Sequence, residues 1–156
     1  MKIKLLKTIK NSSGLPRLEK VNCYDYRNLS CNHPDDVHEM MTDLFALHKQ
    51  TEEFLYEICL NTRGNILGIF EISHGTADCT CISAREIFQK AVLCGATAFI
   101  LVHNHPSGNL NPSKDDKTAM IQLKQASEIM NISFLDSIII GNGFYSFMEN
   151  SSEFSA

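Results

Sequence analysis

At 156 residues, with 44% hydrophobic and 21% charged side chains, the sequence describes an ordinary soluble chain with room for one core. A formal net charge of −4 argues against a broad nucleic-acid footprint, because DNA binding rests on neutralised phosphates and the only basic run is MKIKLLKTIK. No apolar run approaches a membrane span, and the first residues lack the apolar stretch of a signal peptide, so a cytoplasmic protein without membrane contact is expected.

In chain order, Lys2 to Ile9 alternates lysine with apolar residues and reads as an edge strand whose lysines discourage edge-to-edge pairing. Asn11 to Asn32 is rich in turn formers and supports no defined element. Pro34 opens a helix in which Val37, Met40, Met41, Leu44, Phe45 and His48 recur at three and four, a stripe for core packing. A hairpin follows, with strands over Glu53–Leu60 and Asn65–Ile72 around the turn Asn61-Thr62-Arg63-Gly64. Glu52 and Glu57 are expected to face solvent. SHGTADCTC reads as a loop or short strand. Ser83 to Cys94 reads as a helix ended by Gly95, with Ser83 and Glu86 as a capping box.

ATAFILV is apolar and β-branched, a buried strand. A helix over Ser113–Met130 should turn Ala119, Leu123, Ala126 and Met130 inward. SFLDSIIIG is a second buried strand, Gly141-Asn142-Gly143 a turn, FYSFM a last strand and residues 151–156 a loose tail. Alternating strands and helices without repeats or a linker predict a single α/β domain. Within it, residues 1–50 form a leading strand, loop and helix, and residues 51–150 the main body. Six cysteines (Cys23, Cys31, Cys59, Cys79, Cys81 and Cys94) are expected as reduced thiols, since a chain of this size needs no disulfide scaffold. Cys79-x-Cys81 lacks a second pair at finger-like spacing. His33, His38, His48 and His74 have no ligand spacing.

The most informative stretch is LVHNHPSGNLNPSKDD. Residues two apart in a strand point the same way, so His103 and His105 face one spot if the strand reaches that far. Pro106-Ser107-Gly108 then turns the chain, and a helix starting near Ser113 brings Asp116 back. Two neutral imidazoles and a carboxylate suit zinc, and three protein ligands leave a fourth place for water. Ser113 and Asp116 also have the spacing of a helix cap, a role compatible with serving the site.

The pattern His-x-His, seven residues, Ser, two residues, Asp resembles the JAMM signature of the MPN/JAB metalloproteases. The string HNHPSGNLNPSKDD, with FLYEICLNTRGNIL, SHGT, AREIFQKAVLCGATAFILVHNHPSG and FLDSIIIGNGFYSF around it, resembles more narrowly the RadC family over about Glu53 to Glu149. The resemblance implies an MPN/JAB-like (cytidine-deaminase-like) fold, with a mixed β-sheet flanked by helices. It also implies a zinc-dependent peptidase or isopeptidase acting on a protein or peptide. His103, His105 and Asp116 would be the zinc ligands, and Ser113 would hydrogen-bond the developing oxyanion. A glutamate on an earlier strand would be the general base, which the match places at Glu53. Glu71 is the runner-up and Glu86 a third acid. Where the family usually shows a histidine after Leu-Asp, this chain has Ser137. Asp136 beside it is either a buried acid held by backbone hydrogen bonds or a partner that orients a ligand imidazole. Longer RadC proteins carry a helix-hairpin-helix region, which this short form is expected to lack. A non-catalytic RadC-like module associated with DNA repair or mobile elements is the alternative reading.

Overall fold

The computed structural model describes residues 2–27, 31, 33–75 and 83–150. Seven strands form one mixed sheet: β1 (Lys2–Lys10), β2 (Pro16–Asp25), β3 (Phe54–Leu60), β4 (Ile66–His74), β5 (Ala98–Asn104), β6 (Ser133–Gly141) and β7 (Gly143–Ser146). Their spatial order is β2-β1-β4-β3-β5-β6-β7. The β1–β4 and β5–β6 pairs are parallel and the others antiparallel. Four helices flank the sheet: α1 (Pro34–Phe45), α2 (Ala84–Cys94), α3 (Lys114–Met130) and the short α4 (Phe147–Asn150). This is the expected α/β architecture.

The strand period of two divides the core into two layers. Leu55, Phe70, Phe99, Leu101 and Ile139 pack with Ile87, Phe88 and Ala91 of α2 and Met120 and Leu123 of α3. Tyr56, Ile58, Ile69, Ile100, Val102, Ile138 and Ile140 pack on the other face with Val37, Met40 and Met41 of α1. All seven residues of β5 are buried, as befits a central strand covered on both faces. That strand carries His103.

Several local expectations need correction. Residues 16–25, assigned to no element, form β2. This edge strand is exposed or half-buried throughout, so it shows no apolar alternation. α1 ends at Phe45 because Ala46 turns into the left-handed region, and His48 lies in a 3-10 turn beyond the stripe. Glu57 is fully buried rather than solvent-facing. Ser83 does not cap α2 with its side chain. Instead, Glu86 accepts a hydrogen bond from Lys90 Nζ at 3.1 Å, one turn on, where a nearly buried ammonium needs an anionic partner. On α3 the buried stripe is Asp116, Met120, Leu123 and Ser127, with Met130 43% exposed. The last strand stops at Ser146, and Phe147 begins α4. Cys79, Cys81 and the tail lie outside the described residues. Cys23, Cys31, Cys59 and Cys94 are free thiols.

Candidate metal centre

His103 is the penultimate residue of β5 and shares a face with Phe99 and Leu101, which places its ring under the α3 side of the sheet. β5 proper ends at Asn104, but the His105 amide still donates to the Ile140 carbonyl at 2.8 Å, so the extended course persists for one more residue. The two imidazoles therefore converge, with their Nε2 atoms 3.2 Å apart. Asp116 arrives from the first turn of α3. Its Oδ1 is 3.4 Å from His103 Nε2 and its Oδ2 is 3.6 Å from His105 Nε2.

Glu53 precedes β3 and is buried. It joins His103 and His105 in a group whose potential ligand atoms all lie within 4.8 Å of one another. The register explains this meeting of residues fifty positions apart. β3 and β5 are antiparallel with Leu55 opposite His103, so one further step on each same-face row brings Glu53 opposite His105. Glu71 goes elsewhere: it is exposed on β4 and accepts a hydrogen bond from the Tyr56 hydroxyl at 3.4 Å. Glu86 is engaged with Lys90, as described.

The surrounding hydrogen bonds set the protonation of the cluster. His105 Nδ1 lies 2.7 Å from the Asn109 carbonyl. A carbonyl can only accept, so Nδ1 carries a proton, and in the neutral ring Nε2 presents a lone pair to the cluster. Ser113 forms a full capping box with Asp116. Its Oγ accepts from the Asp116 amide at 3.0 Å and donates to Asp116 Oδ2 at 2.7 Å, while its own amide donates to Oδ2 at 2.8 Å. Burial pushes His103 down to about 4 against the attraction of Asp116, so this ring is neutral at physiological pH. The Asp116 carboxylate beside it raises His105 in spite of partial burial. Burial alone would raise Asp116, but the neighbouring His105 and His103 rings and the two bonds from Ser113 outweigh it and hold the carboxyl well below its usual range.

The donor set fits zinc. Bonds of about 2.0–2.1 Å in a tetrahedron put neighbouring ligand atoms about 3.3 Å apart, close to the three spacings above. With His105 neutral, its Nε2 and the oxygens of Asp116 all present lone pairs, and at most one proton, on His103 Nε2, lies between them. A cation satisfies such a convergence far better than that single hydrogen.

One contributor was not foreseen. The Asn109 carbonyl is a backbone group and carries no residue-type signal. Its loop is held by a close approach of two glycines: the Asn142 amide donates to the Gly108 carbonyl at 3.1 Å, and a Cβ on Gly141 would fall 2.7 Å from that oxygen. Asp136 lies on the opposite face of the sheet from His103. It accepts from the Ser137 amide at 2.7 Å, the Ser146 hydroxyl at 2.6 Å and the Met148 amide at 3.0 Å. It is a buried acid held by hydrogen bonds, and burial raises its carboxyl pKa despite them.

A mixed sheet between helices, with a His-x-His strand facing a helix-borne aspartate, defines a JAB/MPN-like α/β domain. The chain belongs to the RadC-like JAB domain family, which matches residues 31–152. It is 43% identical over 116 residues to a UPF0758 protein of Chlorobium phaeovibrioides, covering 74% of this chain and 51% of that one. A UPF0758 protein of Clostridium botulinum is 39% identical over 124 residues, 79% of this chain and 53% of its own. One of Thermotoga maritima is 36% identical over 121 residues, 72% and 54%. The chain thus spans about half the length of the curated relatives it matches. Among the described residues, no helix is long and apolar enough to cross a membrane.

Proposed function

We propose that this chain is a zinc-dependent metallohydrolase of JAMM type, a peptidase or isopeptidase acting on a protein or peptide. The observation that carries the reading is the convergence of His103, His105 and Asp116 at near-tetrahedral spacing, with the Glu53 carboxylate beside them. His103, His105 and Asp116 would hold the metal. Zinc, when bound, supplies a Lewis acid that makes water more acidic and polarises a carbonyl. Glu53 takes the proton of the attacking water and returns it to the leaving amine. Ser113, on giving up its bond to Asp116 Oδ2, turns its hydroxyl toward the oxygen on which negative charge develops. Asn109 keeps His105 in the tautomer that leaves Nε2 open. Burial keeps His103 neutral, so that ring sheds no net proton to bind a cation near neutral pH. The acidic net charge supports a protein substrate over a nucleic acid, and the free thiols suit the cytoplasm.

Elemental analysis of the purified chain beside an Asp116→Ala variant tests the site. One zinc per chain, lost in the variant, is the expected result. Absence of metal after zinc is offered and the excess removed refutes the proposal. Glu53→Gln should then keep zinc and lose hydrolysis of protein substrates.

A further inference from the structure

Asn104 stands between the two imidazoles in sequence but belongs to the opposite face of the sheet, with Ile100 and Val102. It is 1% exposed. Its carboxamide makes two hydrogen bonds, neither of them to the cluster. The Phe54 amide donates to Asn104 Oδ1 at 2.8 Å, and Asn104 Nδ2 donates to the Glu52 carbonyl at 2.9 Å. Those two backbone groups belong to the two peptide units on either side of the Glu53 α-carbon. A third bond, from the Gly75 amide to the Glu53 carbonyl at 2.9 Å, holds the same turn from the residue after β4.

The position of this clamp follows from the register. The β3–β5 ladder ends at Leu55 opposite His103, and its extension would set Phe54 against Asn104. At that point the Asn104 side chain takes over the pairing that main chain provides elsewhere. A planar carboxamide offers one donor and one acceptor side by side, which is what a peptide carbonyl and the next amide require. An aspartate would fit the space but would set an oxygen against the Glu52 carbonyl.

We propose that Asn104 is a positioning residue for Glu53, tying the direction of that carboxylate to the strand that presents His103 and His105. The inference rests on the reading of Glu53 as the general base. It explains why a strand-end Glu53, outside any assigned element, is buried and aimed at two rings fifty residues away. Fixing both flanking peptides leaves the glutamate little freedom beyond its own side-chain rotations.

The test is a double-mutant cycle on the zinc-loaded protein, read by calorimetric binding of acetohydroxamate, a zinc-directed anion whose acidic proton is taken up by a neighbouring base. Asn104→Asp should keep wild-type zinc content and weaken acetohydroxamate about tenfold, as Glu53→Gln does, and the double variant should be no weaker than Glu53→Gln alone. Losses that multiply in the double variant, an unchanged affinity in Asn104→Asp, or loss of zinc from it would each overturn the positioning role. If Glu53→Gln binds zinc and acetohydroxamate as the wild type does, the base assignment itself is wrong and the inference falls with it. A wild type that takes up no zinc refutes the hydrolase reading instead. The clamp is then read separately by amide exchange in Asn104→Ala, where Phe54 should lose protection while Ile58 in mid-strand keeps it. Unchanged exchange at Phe54 removes the clamp.

Discussion

Replacing Glu57 by glutamine is expected to stabilise the protein above pH 5 and to flatten the pH dependence of its stability. Glu57 is fully buried on β3, on the face covered by α2. Burial pushes its carboxyl from 4.5 up to about 8; the Cys59 thiol, which donates to Oε1 at 3.6 Å, and the Lys90 charge oppose that rise, while Cys94 adds to it. Between those two pH values the folded protein keeps the proton and the unfolded chain has lost it. The folded state therefore binds more protons, and stability falls as pH rises through this window. Below 4.5 both states are protonated and the effect vanishes. One proton gives a slope of about 1.4 kcal/mol per pH unit, so the loss by pH 7 has a ceiling of about 3 kcal/mol, reduced by any water that reaches the carboxyl. Glutamine keeps the volume and the acceptor oxygen and cannot ionise. Urea melts of both proteins at pH 5, 6, 7 and 8 should diverge progressively in favour of Glu57→Gln. Parallel pH dependences would refute the reasoning, because they would mean that the carboxyl ionises in the fold as it does in the open chain.

Two other perturbations act on the candidate centre without replacing His103, His105 or Asp116. Ser113→Ala removes both the cap on the Asp116 amide and the hydroxyl donated to Oδ2. It should cost about 1 kcal/mol in a urea melt and weaken zinc about tenfold in a chelator competition, whereas Ser113→Gly should recover most of the stability but not the zinc affinity. Gly141→Ala drives a methyl group to 2.7 Å from the Gly108 carbonyl oxygen and 2.9 Å from its carbon, contacts that only a backbone shift can relieve. The displaced loop carries the Asn109 carbonyl away from His105, so zinc affinity should drop while the circular dichroism of the sheet is retained. Unchanged affinity would mean that Asn109 does not set the His105 tautomer.

The parts of the fold that were legible from sequence are those where burial imposes a period. β5 and the second half of β6 are buried on both faces and carry the apolar runs Ala98–Val102 and Ile138–Ile140, and the β3–β4 hairpin is announced by Asn61 to Gly64. β2 has no buried residue, so neither solvent nor core imposes a pattern on it. It exists because β1 offers a hydrogen-bonding edge, with register from Lys2 opposite Asp25 to Lys10 opposite Pro16. Glu57 was misread for a related reason. Charge suggests solvent, yet Leu55, Glu57 and Cys59 occupy one face of β3, and the face is decided by its apolar neighbours. A rule that ranks residues by polarity fails wherever one polar side chain is outvoted by its row.

The candidate centre was legible to different depths for a reason that lies in chain distance. His103, His105, Ser113 and Asp116 fall within fourteen residues, so strand alternation and one helix turn suffice to bring them together. Glu53 depends on a long-range pairing, and local pattern alone left Glu71 in competition. The β3–β5 register separates them: stepping outward from Leu55 opposite His103 brings Glu53 toward the rings, while Glu71 pairs with Tyr56 across the β3–β4 hairpin and takes its hydroxyl. A slip of one residue in that register would turn Phe54, not Glu53, toward the imidazoles. The two hydrogen bonds of Asn104 and the one from Gly75 sit at the place where such a slip would begin. The strand that carries His103 and His105 thus also carries the carboxamide that bonds both peptides flanking Glu53.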